Sequence, residues 1–244
     1  GEIDDDLWAD YLQQTVFDNV LGADIPDLFP VERPQLLRHL YLSVARLTGT
    51  VMPQNKLAEA ANVMHLATNQ PTVGKYLHYL ADALLIREFR KFPLVKKASA
   101  RVPAKITVSD LGVRNAIFRG APSLAESDPG LLGPLVETMV QGVIRDHGLQ
   151  VYYYREHENP RDRRSTIREV NFVAERLDGQ ILPIEVKFRK TVREDDIQGL
   201  LHFIRKYEKL LESTRGIVVT RAFERWDPER RILFVPLHSF LLAY

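Results

Sequence analysis

The sequence predicts an α/β protein in which an N-terminal helical winged helix-turn-helix precedes a C-terminal mixed α/β sheet domain. Three short segments with helical spacing of apolar residues lie between residues 34 and 82, and two strand-like segments around a basic loop follow them. From about Pro103, apolar strand-like runs alternate with amphipathic helical segments, as in mixed sheets. Of the 244 residues 45% are apolar and 27% are charged, which is typical of a globular chain and excludes a disordered or collagen-like one.

The composition also indicates the cellular compartment in which we expect the protein. No window reaches the ~18 uninterrupted apolar residues of a spanning helix, so we expect no membrane partner. The chain contains no cysteine, which excludes disulfides, Cys-ligated zinc and thiol nucleophiles and favours a reducing, cytoplasmic compartment. Because the chain opens with Gly1-Glu2 rather than with Met, we expect it to be part of a longer polypeptide.

The near-neutral net charge conceals two segments of opposite sign. Residues 1–33 carry nine acids and one base, whereas residues 86–120 carry nine bases and two acids. We interpret residues 1–33 as an acidic helical lead-in that breaks at Gly22 and continues into a proline-containing turn region. The basic segment is either a phosphate-binding face or a solvated surface.

Residues 34–102 match the element order of a winged helix-turn-helix. Helices are predicted from Pro34 to Leu47, from Gln54 to Met64, and from an N-cap at Asn69, and strands at residues 84–89 and 105–109. In this interpretation nucleic acid is contacted by residues of the third helix and of the wing, namely Gln70, Thr72, Lys75, Lys96, Lys97 and Arg101. Small winged helices also serve as protein-docking or dimerisation modules, so this alternative stays open.

Residues 103–244 predict a second domain with a mixed sheet. The predicted helices cover residues 111–118, 132–147 and 194–211, and the predicted strands cover residues 151–154, 167–174, 181–187, 216–220 and 231–235. Asp178-Gly179 predicts the turn of a hairpin between the second and third of these strands. A charged loop at residues 155–166 precedes the hairpin, and its Arg163 and Arg164 are candidate phosphate contacts.

The predicted hairpin contains the candidate metal-binding and catalytic residues. Alternate side chains of a strand share a face, so Glu169 lies beside Asn171 and Glu185 lies beside Lys187. Such an acidic pocket with one ammonium suits a hard divalent cation such as Mg²⁺, with the lysine orienting a metal-bound water. Glu137, from the preceding long helix, is a candidate for a further carboxylate ligand.

These residues resemble the PD-(D/E)XK restriction-endonuclease-like superfamily. In that superfamily an acidic residue ends one strand of a hairpin, Glu-X-Lys lies on the next, and a helical glutamate often completes the metal site. The resemblance covers residues 103–244 and implies a restriction-endonuclease-like fold. It also implies that Glu137, Asn171 and Glu185 hold Mg²⁺, and that Lys187 positions water for phosphodiester attack.

A wider resemblance covers nearly the whole chain. Residues 57–86, 106–118, 131–140 and 168–187 look like the C-terminal half of prokaryotic AAA-type ATPases, in which a winged helix and a nuclease-like domain of unknown function follow the P-loop module. The chain itself has no P-loop, because Gly74-Lys75 is followed by Tyr76 inside a predicted helix. The missing N-terminal ATPase module is therefore an expected partner.

One departure from the superfamily leaves two functions open. Asn171 stands where the superfamily usually has Asp, so the site loses a full negative charge. The first hypothesis is a DNA-binding module. It retains either a working Mg²⁺-dependent nuclease site or the nuclease-like fold without activity. The second is a protein-interaction or homo-oligomerisation module of the ATPase without nuclease activity.

Overall fold

The computed structural model describes residues 4–92, 102–119, 129–159, 161–162, 164–211 and 213–242. The protein is a mixed α/β chain that divides into two compact units. Unit 1 contains residues 1–88 and 103–138, and unit 2 contains residues 89–102 and 139–244. Within the described ranges, no helix combines the length and the apolar character needed to cross a membrane.

Unit 1 is mainly helical. Its helices are α1 (Asp5–Leu12), α2 (Ile25–Leu28), α3 (Pro34–Arg46), α4 (Gln54–Val63), α5 (Gln70–Asp82), α6 (Leu111–Phe118) and the first part of α7 (Pro129–Asp146). Strand β1 (Thr50–Met52) pairs antiparallel with β3 (Ala104–Val108), which also borders β2 (Ile86–Lys91). The predicted N-cap of α5 is confirmed, because the Asn69 side chain accepts a hydrogen bond of 3.0 Å from the Thr72 N–H. Strand β1 is only three residues long and was not predicted.

The acidic lead-in is part of the core of unit 1. We predicted a helix break at Gly22, and this is wrong: two π-helical segments, Gln13–Asp18 and Val20–Asp24, continue α1 toward α2. Phe17, Leu21 and Ile25 recur every four residues and are buried in the same cluster as the apolar face of α3. Burial of these three side chains offsets the low helix propensity of one glycine.

Unit 2 is built on a mixed sheet. Its strands are the end of β2, β4 (Gln150–His157), β5 (Ile167–Glu175), β6 (Ile181–Lys187), β7 (Gly216–Thr220), β8 (Arg225–Asp227) and β9 (Ile232–Pro236). They lie in the order β2, β4, β5, β6, β7, β9, β8. Strands β4, β5 and β6 are antiparallel, β6, β7 and β9 are parallel, and β8 is an antiparallel edge strand. The predicted turn at Asp178-Gly179 is confirmed, with Gly179 at a φ of +82°.

Helix α8 (Gln198–Lys206) covers one face of this sheet at β5 and β6. The single helix predicted over residues 194–211 is instead α8 between two 3₁₀ turns, Glu194–Ile197 and Glu208–Leu210. The buried side of α8 packs Leu200 and Phe203 into the core of the unit. Strand β8 and the final helix α9 (Leu237–Leu242) were not predicted, and β4 extends to His157 because its end pairs with the start of β5.

Candidate functional site

Two predicted site residues hold the hairpin together where its backbone ladder ends. The register of β5 with β6 runs from Glu175 and Ile181 to Phe172 and Ile184. Beyond that point side chains provide the bonds. The Asn171 N–H donates to Glu185 Oε2 at 3.2 Å, and the Val186 N–H donates to Asn171 Oδ1 at 2.8 Å. Asn171 and Glu185 therefore bridge the two strands.

Lys187 completes this group, as the Glu-X-Lys spacing predicted. Its Nζ lies 2.7 Å from Glu185 Oε1, and the side chain is about one quarter exposed. Glu185 is only 5% exposed and Asn171 only 7%, so the carboxylate and the amide are shielded from water. The structure thus brings together the three residues predicted as catalytic, namely Asn171, Glu185 and Lys187.

These residues do not fit a magnesium ion. The group has one carboxylate, and its two oxygens accept hydrogen bonds from the Asn171 N–H and the Lys187 ammonium. The Asn171 amide oxygen is neutral and already accepts from the Val186 N–H. In the part of the chain that the structure describes, no group of three or more His, Cys, Asp or Glu side chains is placed to hold a metal.

The predicted third ligand, Glu137, is engaged elsewhere. It lies on α7 in unit 1, where Lys105 Nζ on β3 is 2.6 Å from its Oε2. Lys105 is almost fully buried, at 1% exposure. Glu169, the other acid of the β5 face, lies 3.7 Å from Arg155 Nε on the neighbouring strand.

A group of cations lies beside this site, at the carboxyl ends of the parallel strands β6 and β7. We call it the carboxyl-edge surface and define it as Lys187, Arg189, Lys190 and Arg221. Lys187 pairs in register with Thr220, and the Arg221 N–H donates to the Arg189 carbonyl at 3.3 Å, so the two strand ends are joined. The Arg221 guanidinium lies 5.8 Å from the Phe188 ring centroid, and Arg189 pairs with Asp196 at 2.8 Å.

Arg189, Lys190 and Arg221 were not predicted from the sequence to belong to a site. The signal was present, since basic residues directly follow both strands. Whether two strands are parallel neighbours, however, depends on pairing between segments about 30 residues apart. Parallel neighbours place their carboxyl ends at the same edge of a sheet, which brings these basic residues together.

The predicted arginine loop lies at the same edge. Because β5 runs antiparallel to β6, the residues just before Ile167 lie where β6 ends. In this loop the Arg164 N–H donates to Asp162 Oδ1 at 2.9 Å, and both Arg161 and Arg164 are exposed. Arg163 falls outside the described residues.

Two of the three residues of α5 that were predicted to contact nucleic acid have exposed side chains. Gln70 and Lys75 are exposed on α5, and Lys75 Nζ lies 5.7 Å from the Tyr79 ring centroid. Thr72 instead donates to the N-cap residue, because both its N–H and its hydroxyl bond to Asn69 Oδ1, the hydroxyl at 2.9 Å. The predicted wing residues Lys96, Lys97 and Arg101 lie outside the described residues.

A cluster of charged side chains connects α8 to β4 through hydrogen bonds. Lys206 Nζ lies 2.6 Å and 2.7 Å from the two carboxylate oxygens of Glu156, and His202 Nε2 lies 2.9 Å from Oε1. Burial alone would raise the pKa of Glu156, but its hydrogen bonds with Lys206 and His202 outweigh burial and lower the pKa to about 2. No role was predicted from the sequence for these histidine and lysine side chains.

Two family models are similar to this chain. One, described as a domain of unknown function (DUF4143), matches residues 132–240, and another, described as a domain of unknown function (DUF8612), matches residues 4–124. An uncharacterized protein of Haemophilus influenzae is 23% identical over 197 residues, which are 80% of this chain and 45% of that protein. The chain thus spans less than half the length of this relative. No solved structure matches the chain.

Proposed function

We propose that this chain is a nucleic-acid-binding module of a larger AAA-type ATPase, built of a winged helix and a nuclease-like domain that does not cleave in its present sequence. The observation that carries the proposal is the carboxyl-edge surface. Lys187 pairs with Glu185 and Arg189 pairs with Asp196, while Lys190 and Arg221 are exposed to solvent. Phosphate groups are bound chiefly by such clusters of lysine and arginine.

The position of this surface supports the same function. In sheets with parallel strands, ligands bind outside the carboxyl ends of the strands. The surface lies at the carboxyl ends of β6 and β7, and the loop that carries Arg161 and Arg164 lies at the same edge. The edge therefore combines cations from three separate segments of unit 2.

The element order of unit 1 supports a winged helix. Helix α3 is followed by β1, by the helix pair α4 and α5, and then by β2 and β3, with β1 paired to β3. In this interpretation α5 is the recognition helix, and the exposure of its Gln70 and Lys75 side chains supports that role.

The assignment to an ATPase is supported by the family match and by length. DUF4143 is a domain found in AAA-ATPase-associated proteins, and its model matches residues 132–240. The H. influenzae relative has more than twice the length that this chain covers, which leaves room for a further module. Magnesium and catalysis stay outside the proposal, because the group formed by Asn171, Glu185 and Lys187 contains a single carboxylate.

Reversing two charges of the carboxyl-edge surface should weaken DNA binding. For Lys190→Glu/Arg221→Glu we expect an affinity about tenfold or more below that of the parent chain, and a salt dependence reduced by about two phosphate contacts. The measurement is fluorescence anisotropy on a short labelled duplex over a series of salt concentrations. Single-stranded DNA and RNA of the same sequence then identify the preferred nucleic acid.

The matched control is Lys209→Glu/Arg231→Glu, which also reverses two charges. Arg231 is exposed directly before the amino end of β9, which runs parallel to β7. Lys209 is exposed in the 3₁₀ turn beside Leu211, which bridges Ile181 at the amino end of β6, the opposite edge of the sheet. This variant should bind like the parent chain. If both variants lose the same affinity for DNA, the loss reflects net charge and not this surface. If the parent chain does not bind DNA even at low salt, nucleic-acid binding itself is contradicted.

Restoring the missing charge should create a metal site. Asn171→Asp places a second carboxylate beside Glu185, and Mg²⁺ sites typically use one or two carboxylates with the substrate phosphates. We expect calorimetry to detect Mn²⁺ binding to Asn171→Asp and none to the parent chain. Asn171→Asp/Glu185→Gln returns the site to one carboxylate and should lose the binding again. Metal binding by the parent chain would show that one buried carboxylate suffices.

A second candidate function is a protein-interaction or oligomerisation module of the ATPase. It is favoured by the use of Asn171 and Glu185 as strand bridges, since this role preserves the fold without any chemistry. The two functions differ in one measurement: only the first predicts a salt-dependent affinity for nucleic acid.

A further inference from the structure

Unit 1 contains an apolar groove that none of the functions above uses. It has a volume of about 540 Å³ and lies among α3, β1 and α4. Its apolar lining includes Leu42, Leu47, Val51, Leu57 and Met64. Leu47 and Met64 are about half exposed or more, so the groove opens to solvent. Exposed apolar surface of this kind usually marks a binding site for another protein surface.

The polar rim of the groove is basic. His39 and Arg46 line it from α3, and Lys56 lines it from α4, where it also pairs with Glu59 at 2.7 Å. No Asp or Glu is among the residues that line the groove in the described part of the chain. The groove therefore suits an occupant that combines large apolar side chains with acidic ones.

Helix α1 of the same chain has this chemistry. Its Leu7, Trp8 and Tyr11 side chains are 64%, 48% and 55% exposed, and they lie within one third of the helix circumference. The rings of Trp8 and Tyr11 stack with centroids 5.5 Å apart, which presents them as one surface. Asp6 and Asp10 lie on the adjacent side of the helix, where they pair with Arg119, the residue that follows α6, and remain largely exposed.

We propose that α1 of one copy of this chain binds the groove of a second copy. Leu7, Trp8 and Tyr11 enter the apolar groove, and the acids of the lead-in face His39, Arg46 and Lys56. The interface joins two different surfaces, so a pair of copies keeps one free groove and one free helix, and the association can continue into a ring or a chain. An interface formed by one short helix in one groove is small, so we expect weak association that increases with protein concentration.

The geometry allows a complementation experiment on the full chain without nucleic acid. Sedimentation velocity over a concentration series should show association of the parent chain that weakens as salt is added. Trp8→Ala/Tyr11→Ala removes the helix surface, and Met64→Glu places a charge in the groove. Each variant alone should be monomeric. Mixed together they should form a 1:1 dimer and nothing larger, because one still has a groove and the other still has a helix.

The experiment also needs a control variant and a test that every variant is folded. Leu177→Glu changes a fully exposed leucine in a turn of unit 2 and should associate like the parent chain. Circular dichroism and thermal unfolding should show that all variants stay folded, since the altered side chains are exposed. A parent chain that stays monomeric at every concentration overturns the proposal. Association that survives in both surface variants, or variants that fail to dimerise when mixed, overturns it as well.

If the parent chain is monomeric but binds an added acidic peptide with large apolar side chains, and Met64→Glu abolishes that binding, the occupant is a different protein rather than a second copy. Both outcomes are independent of the carboxyl-edge surface, which lies in unit 2. Failure here therefore leaves the nucleic-acid proposal untouched, and failure of DNA binding leaves this proposal untouched.

Discussion

Replacing Glu137 by glutamine is expected to lower the free energy of unfolding by about 3–5 kcal/mol, because it removes a carboxylate that pairs with a buried ammonium. Lys105 is 1% exposed on β3, and its Nζ lies 2.6 Å from Glu137 Oε2. Glutamine keeps the size of the side chain and a carbonyl oxygen but removes the negative charge. The loss can be measured by urea unfolding followed by circular dichroism.

The reciprocal change provides the control. Lys105→Met removes the buried charge, keeps most of the apolar stem, and leaves a carboxylate that is 19% exposed and retains contact with water. We expect a smaller loss, about 1–2 kcal/mol. The double variant Lys105→Met/Glu137→Gln should be about as stable as Lys105→Met alone, since the pair is then no longer charged. A Glu137→Gln loss below that of Lys105→Met would contradict the assignment of Glu137 as the counterion.

Replacing Gly199 by alanine is expected to destabilise unit 2 by about 1–3 kcal/mol, since overpacking forces rigid groups apart. Gly199 lies in the first turn of α8, directly over β5. A Cβ at this position would overlap the carbonyl oxygen of Glu169 and lie 2.9 Å from its backbone nitrogen. Both atoms belong to a paired strand, so α8 would have to move away from the sheet.

Gly22→Ala is the matched control for this change. Gly22 also lies in a helical segment, Val20–Asp24, and a Cβ there would meet nothing within 4 Å. Alanine has the higher helix propensity, so this variant should gain about 0.5–1 kcal/mol. Thermal unfolding of both variants gives the comparison. A neutral or stabilising Gly199→Ala would show that α8 is not held against β5 as described.

Much of the secondary structure could be predicted, because helical spacing and strand alternation are local properties of a chain. Helices α3, α5 and α6 and strands β5, β6 and β7 lie within two residues of their predicted bounds. The errors occur where distant packing overrides local preference. Gly22 remains helical because Phe17, Leu21 and Ile25 are buried against α3, and β1 exists only because β3 pairs with it.

For the candidate site, strand alternation alone predicts that Glu185 and Lys187 share one face of a strand. The turn signal at Asp178-Gly179 then pairs this strand with the preceding one, which carries Asn171. The bonds of Asn171 and Glu185 to groups across the hairpin, and the pairing of Glu137 with Lys105, depend on the three-dimensional fold. It also placed Arg189, Lys190 and Arg221 at one edge of the sheet. These contacts join segments 14 to 32 residues apart, and which segments become neighbours depends on how the whole unit buries its apolar faces.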